Sequence, residues 1–276
     1  WLAAVHLALD QGDPWCEHHI QRESMEAGIE HVFDPETHTW HTEPVTVKLQ
    51  PGAFANGAQR RCYRAKKVDS ALEDMADEWS RVKDTDFSHS WKHAPNFVLK
   101  EYMGEGAERE AYRSDVEMQM IAKFWGAQFN LSHPPKKVDV LRASLVELPG
   151  RPGSPIFACE CFLEGEYVKY NSNSGFVSEV GRVTPQAFSH FTFVASKGAL
   201  MVVDIQGVGD LYTDPQIHTA DGRGFGSGNL GPSGMARFFA SHVCSPLCEW
   251  LGLPHIGLSP AQIERAAAAD VAAQSS

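Results

Sequence analysis

The chain has 276 residues, with 24 Lys and Arg against 35 Asp and Glu, giving a formal charge of −11. Its 43% hydrophobic and 21% charged residues are ordinary globular usage, which excludes a disordered or fibrous chain and supplies enough apolar mass for a sizeable core. The acidic balance argues against broad binding to a phosphate backbone, and no apolar run is long enough to span a bilayer.

From the amino terminus, Trp1–Leu9 sets Trp1, Val5, Ala8 and Leu9 on one helical face and stops at the turn signal Asp10-Gln11-Gly12-Asp13-Pro14. No signal peptide is legible there, and because the chain opens on Trp1 rather than Met, a fragment of a longer protein is expected. His41–Leu49 alternates as a strand through Val45, Val47 and Leu49; Pro51–Ala58 follows as a small Gly-containing loop, and Arg60–Lys67 as a second strand. Ser70–Lys83 is acidic, with Leu72, Met75, Ala76 and Trp79 at helical spacing. Phe97–Tyr102 predicts a strand carrying a solitary Lys100, and Ala111–Phe129 a helix with Val116, Met120 and Phe124 on one face. Pro134-Pro135 breaks the chain before strands at Val138–Val146 and Pro155–Phe162.

The second half opens on Gly165-Glu166-Tyr167 and a polar loop, Tyr170–Gly175. Pro185–Ser196 predicts a helix, and Ala199–Val203 an apolar strand that stops abruptly at Asp204. Gln206–Gly234, rich in Gly, Asp and Asn, is expected to lack regular secondary structure. Gly234–Val243 predicts a last helix before an Ala-rich tail.

Six cysteines are too few for a disulfide scaffold at this length and favour an intracellular protein. His242, Cys244 and Cys248 lie close enough in sequence to supply three of the four ligands of a tetrahedral zinc. Asp204, Gln206, Asp210 and Asp214 suit Mg²⁺, which takes few protein oxygens, although solvated loop acids would look the same. Lys100 in an apolar strand needs a partner, and a nucleotide phosphate is one. Gly226, Gly228 and Gly231 match G-x-G-x-x-G in letters only, since no strand of a βαβ unit precedes them.

Three strings then carry a resemblance: Lys169-Tyr170-Asn171-Ser172-Asn173-Ser174-Gly175, Thr184-Pro185-Gln186-Ala187-Phe188-Ser189-His190, and Val203-Asp204-Ile205-Gln206-Gly207-Val208-Gly209-Asp210-Leu211-Tyr212-Thr213-Asp214. They resemble the alpha-kinase family of atypical protein kinases, and the likeness runs from about Asp13 to Leu253. It implies a two-lobed, kinase-like α+β fold: an amino-terminal helical segment (1–40), an N-lobe (41–162), a zinc-stapled C-lobe (163–258) and a tail (259–276), with nucleotide between the lobes. The implied reaction moves the ATP γ-phosphate to Ser or Thr of a protein.

The resemblance also implies roles. Lys100 holds the α- and β-phosphates, the loop at Gly57 with Arg60 covers them, Glu160 bonds the adenine amine, and Leu163 offers backbone groups to the base. Asp204 orients or deprotonates the acceptor hydroxyl, while Gln206 and Asp214 hold Mg²⁺. Lys169, Asn173, Gly226, Gly228, Asn229 and Gly231 serve the protein-substrate side. His190 joins His242, Cys244 and Cys248 as the fourth ligand of a structural Zn²⁺, and Lys136, Arg182 and Thr184 form a phosphothreonine pocket. Elongation factor 2, modified on threonine, is the implied substrate in a cytoplasmic setting, with neither nucleic acid nor membrane as direct partner. Calmodulin is the implied partner of the helix led by Trp1, which differs from calmodulin targets in having no Lys or Arg. A pseudokinase and a zinc-stabilised interaction module are the rival readings; Lys100, Glu160, Asp204, Gln206 and Asp214 are all present, which counts against the first.

Overall fold

The structure, a computed structural model, describes residues 13, 15–57, 59–69, 94–104, 108–179 and 181–257. The helices expected at Trp1–Leu9, with its calmodulin position, and at Ser70–Lys83 lie outside the described residues, as does the tail. Two short 3₁₀ turns, Cys16–His18 and Ile20–Arg22, lead into strands β1 (Met25–Asp34), β2 (Thr39–Leu49), β3 (Ala55–Asn56), β4 (Arg60–Asp69) and β5 (Asn96–Tyr102). Helix α1 (Arg109–Leu131) follows, then β6 (Asp139–Val140), β7 (Ala143–Glu147), β8 (Ile156–Cys161) and β9 (Val168–Lys169). The remaining elements are α2 (Val183–Ala195), β10 (Leu200–Val203), β11 (Gln206–Val208), β12 (Leu211–Thr213), β13 (Gln216–Thr219), α3 (Gly231–Ser241) and α4 (Pro246–Trp250). The chain divides into one unit of Trp1–Phe33, Thr39–Tyr112 and Ala143–Phe162, and a second of Asp34–His38, Arg113–Arg142 and Leu163–Ser276.

The first unit is a seven-stranded sheet in the order β2-β1-β7-β8-β5-β4-β3, and β2 also pairs with β4, so the sheet closes on itself. Period-two alternation sends Val45, Val47 and Leu49 of β2 inward, where they meet Ala65, Leu99, Val146, Phe157 and Cys159. Each such aliphatic side chain contributes about 1.5–3 kcal/mol by leaving water. Burial pushes the Cys159 thiol up to about 12. One expectation is corrected here: Met25–Asp34 is a strand, not the continuation of an amino-terminal helical segment to residue 40. The alternation is hidden because an inward position holds Glu30, whose carboxylate accepts from Lys67 Nζ at 2.8 Å and from Ser144 Oγ at 2.5 Å.

The second unit holds a four-stranded sheet, β6-β12-β11-β9, and a two-stranded ribbon, β10-β13. Helix α2 packs on β10 and α4, and α3 on β13. Met118, Phe129, Tyr170, Phe188, Val202, Ile205, Tyr212 and Ile217 are prominent in its core. Two more expectations are corrected. Val138–Val146 is two strands: Leu141 N–H donates to Tyr212 O in one sheet, and Ala143 pairs with Glu160 in the other. Gln206–Gly234 contains β11, β12 and β13, which are too short for a period to show. Gly207 makes the first hairpin possible, because a Cβ there would lie 2.1 Å from Leu211 O at φ +148°.

Candidate active site

In the first unit, β5 and β8 run antiparallel with Lys100 opposite Ala158 and Val98 opposite Glu160. Lys100 and Glu160 are therefore diagonal neighbours on one face, while Leu99 turns into the core. Lys100 Nζ lies 2.7 Å from Glu160 Oε1, and both side chains are 9% exposed. The loop after β3 is a tight hairpin: Gly57 N–H donates to Arg60 O at 2.8 Å, and the Arg60 guanidinium sits 5.9 Å from the Tyr102 ring centre. Leu163, half-buried, begins the second unit's last segment two residues beyond β8.

In the second unit, strand pairing gathers the acidic residues. Gln206 opposes Lys169 on β9 and Thr213 on β12, which puts Asp204 and Asp214 just beyond the strand ends. Lys169 Nζ lies 2.6 Å from Asp204 Oδ1, with side chains 45% and 20% exposed, and Gln206 Nε2 donates to Asp214 O at 2.9 Å. Both aspartates occupy left-handed backbone, φ 57° and 49°, which costs a non-glycine residue about 1–2 kcal/mol. Burial pushes the Asp204 carboxyl up, and the pull of Lys169 reduces that rise without cancelling it. Such an arrangement can orient a hydroxyl and gather oxygen ligands for a divalent cation.

Around the acids, the Gly-rich loop is ordered by hydrogen bonds. Asn173 Nδ2 donates to Gly228 O at 3.1 Å. Asn229 Oδ1 accepts from the Thr219 and Gly231 N–H groups, each at 3.0 Å. His218, fully buried, accepts from Leu230 N–H through Nδ1 at 3.1 Å, which makes Nε2 the donor to Asn173 O at 2.9 Å. Gly234 lets α3 approach that ring, since a Cβ there would meet His218 Nε2 at 2.3 Å.

The four expected zinc ligands also converge: His190 Nδ1 lies 3.9 Å from Cys244 Sγ, His242 Nε2 lies 3.7 Å from Cys248 Sγ, and all four donor atoms fall within 4.8 Å of one another. Zinc bonds of about 2.0–2.3 Å place tetrahedral ligands slightly closer than this, so the donor set and spacing fit a closed Cys₂His₂ site. Lys136, Arg182 and Thr184 line one cavity of 430 Å³ with Pro135, Val183 and Trp250 among its walls. Within it Arg182 is not idle: it pairs with Asp210 at 2.5 Å and donates to Tyr170 Oη at 3.2 Å.

Residues to which the sequence assigns no role complete the site. Asn171, Gln119, His218 and Gln216 are polar, half-buried or buried, and recognisable only once their partners are in place.

The profile of the Alpha-kinase family matches residues 55–248. Human (Homo sapiens) eukaryotic elongation factor 2 kinase is 46% identical over 261 residues, covering 94% of this chain and 34% of that protein; the chain thus spans about a third of the length of such curated relatives. The apoenzyme alpha-kinase domain of myosin-II heavy chain kinase A superposes with a TM-score of 0.73 at 40% identity, over 85% of this chain and 99% of that one. The same domain in complex with ADP gives 0.71 at 41%, over 84% and 99%. This chain belongs to the alpha-kinase family of protein kinases and has that family's two-lobed α+β fold.

Proposed function

We propose that the chain transfers the γ-phosphate of ATP to serine or threonine side chains of a protein. The observation that carries this reading is the convergence of Lys169, Asp204, Gln206 and Asp214 at the ends of β9, β10, β11 and β12. Phosphoryl transfer asks for positioning and charge neutralisation rather than covalent work by the enzyme. Asp204 places the acceptor hydroxyl and takes its proton, its carboxylate held by the ion pair with Lys169. Gln206 spends its nitrogen as a donor, so its oxygen and the Asp214 carboxylate are the atoms that would hold Mg²⁺. That ion, when bound, neutralises charge on the phosphates.

Lys100 takes the α- and β-phosphates, Glu160 aligns it and meets the adenine amine, Gly57 and Arg60 cover the phosphates, and Leu163 contacts the base. A bound ADP in the related myosin heavy chain kinase A domain supports a nucleotide here. Asn173 and the loop Gly226, Gly228, Asn229 and Gly231 serve the protein acceptor, for which elongation factor 2 is the first candidate because an elongation factor 2 kinase is similar over most of this chain. His190, His242, Cys244 and Cys248 hold a structural zinc. Lys136, Arg182 and Thr184 receive a phosphothreonine, and the ion pair with Asp210 means that such a ligand competes for Arg182. Calmodulin at Trp1 and a cytoplasmic location complete the proposal.

Radiolabelled ATP, with and without Mg²⁺, tests it against elongation factor 2 and a casein control. Label on phosphothreonine of elongation factor 2, dependent on Mg²⁺, is the expected result. No transfer to any protein acceptor would overturn it.

A further inference from the structure

Asp204 and Asp214 both hold left-handed backbone, a conformation that persists in a carboxylate residue only where its surroundings over-determine it. At each turn a backbone donor ends on a buried side-chain amide. Ile205 N–H, the donor directly after Asp204, gives its hydrogen bond to Asn171 Oδ1 at 2.8 Å. Asp214 N–H donates to Gln119 Oε1 at 3.2 Å. Asn171 is 1% exposed and Gln119 5%.

Both amides are in turn held from behind. Asn171 Nδ2 donates to Ser189 Oγ at 3.1 Å and to Gln186 Oε1 at 3.2 Å, two side chains of α2. Gln119, on α1, donates through Nε2 to Leu141 O at 3.1 Å. These partners fix which end of each amide faces the acid, because only the oxygen can accept a backbone N–H. The turns are also tied on their acceptor sides: Tyr170 N–H donates to Ile205 O at 2.8 Å, and Gln206 Nε2 to Asp214 O.

We propose that Asn171 and Gln119 are positioning residues for phosphate transfer, each clamping the backbone turn that aims one carboxylate, Asp204 through Asn171 and Asp214 through Gln119. This rests on the roles proposed above for the two aspartates. The clamp explains the choice of residue: a leucine or methionine would fill the same volume, whereas a buried amide is worth its desolvation only when its bonds are made. It also explains why two acids can sit in strained backbone at the same site. Asn171 further joins the Asp204 turn to the helix that carries His190, so the aim of the acid is referred to the metal cluster's own scaffold.

The test uses the full zinc-loaded chain as parent, Asn171→Ala, Asn171→Asp and the nearly isosteric Gln119→Met. In Asn171→Ala and Gln119→Met, kcat should fall about 10- to 100-fold, the penalty of a carboxylate displaced by about an ångström, while KM for ATP stays within about twofold. Amide hydrogen exchange should speed selectively at Ile205 in the first and at Asp214 in the second, with the melting curve of the remaining chain retained. Asn171→Asp keeps the accepting oxygen and should recover part of kcat relative to Asn171→Ala. Parental kcat in the variants, a kcat loss that merely follows loss of folded protein, or no gain from Asn171→Asp would overturn the clamp. Should Asn171→Ala not fold, Gln119→Met decides the matter by itself. An inactive parent sinks the kinase reading and the clamp together, whereas an active parent with unaffected variants sinks the clamp alone.

Discussion

Two Lys–carboxylate pairs of almost equal length sit in the two units, and they are built to opposite ends. Lys100 and Glu160 meet at 2.7 Å on neighbouring strands, each 9% exposed, on ordinary extended backbone. Lys169 and Asp204 meet at 2.6 Å, but Lys169 is 45% exposed and Asp204 stands in left-handed backbone just past a strand. The first pair is buried on the face of β5 and β8 that turns away from the core of the closed sheet, and the register of the two strands brings its members together. The second is open, and its geometry comes from side chains behind it. Distance therefore says little about what an ion pair does; burial and backbone decide whether it stabilises or reacts.

The largest effect tests the platform of the open pair. Helix α2 carries His190 to the cluster and Gln186 and Ser189 to Asn171, so removal of the proposed zinc by a strong chelator should unfold the second unit. A structural zinc supplies about 10 kcal/mol or more of apparent folding free energy. Elemental analysis of folded protein should find one zinc per chain, and an absence of zinc would remove the site. Next, Asp204→Ala should lower kcat about 10²- to 10⁴-fold, as expected for loss of a general base, with ATP affinity nearly unchanged. Equal turnover in mutant and parent would end its assignment.

The comparison itself is sharpened by truncating each lysine. Lys100→Met takes the ion-pair partner from a buried Glu160, and breaking a buried pair costs about 3–5 kcal/mol, so urea stability and ATP affinity should both drop. Lys169→Met removes a half-exposed partner, and stability should move by about 1 kcal/mol or less while kcat falls. Similar stability losses in the two variants would mean that the enclosed and open pairs are not different in kind.

Much of the enclosed site was legible in the sequence because its signals are local. A single Lys among Phe97, Val98 and Leu99 marks both a strand and a site, and Val45, Val47 and Leu49 announce their own alternation. The close spacing of His242, Cys244 and Cys248 is likewise visible, whereas His190 lies more than fifty residues upstream and joined them only through the family resemblance. What stayed hidden depends on long-range partners. Glu30 disguised β1 because its neutralising Lys67 comes from a different strand. Nothing in the letters of Asn171 or Gln119 tells a clamp from an ordinary polar residue, since the meaning of each lies in the one N–H it accepts. Left-handed φ at Asp204 and Asp214 has no signal either, because aspartate, although one of the residues that tolerate such backbone, is far more often found at ordinary negative φ.

The smallest effect concerns the loop beside the open pair and reads out through pH. Burial holds His218 well below the ordinary imidazole range, to about 4, with the Arg237 charge adding to the shift. Its Nδ1 accepts from Leu230 N–H, and a proton there would set donor against donor. The folded pKa is thus the depressed one, so between about 6.5 and 4 the unfolded chain binds a proton that the folded chain refuses. Stability contributed by neutral His218 is complete above pH 6.5, declines as pH falls below it, and levels off once the folded ring also protonates, for a total of about 3 kcal/mol. His218→Gln removes this titration. Urea unfolding of the parent and His218→Gln, each measured from pH 7 to pH 4, should therefore show the difference in stability between them shrinking toward acid, since all other groups titrate in both. A difference that stays constant across that range would show that the ring protonates as readily in the folded chain as outside it, and that the loop at Gly226–Gly231 does not depend on a neutral imidazole.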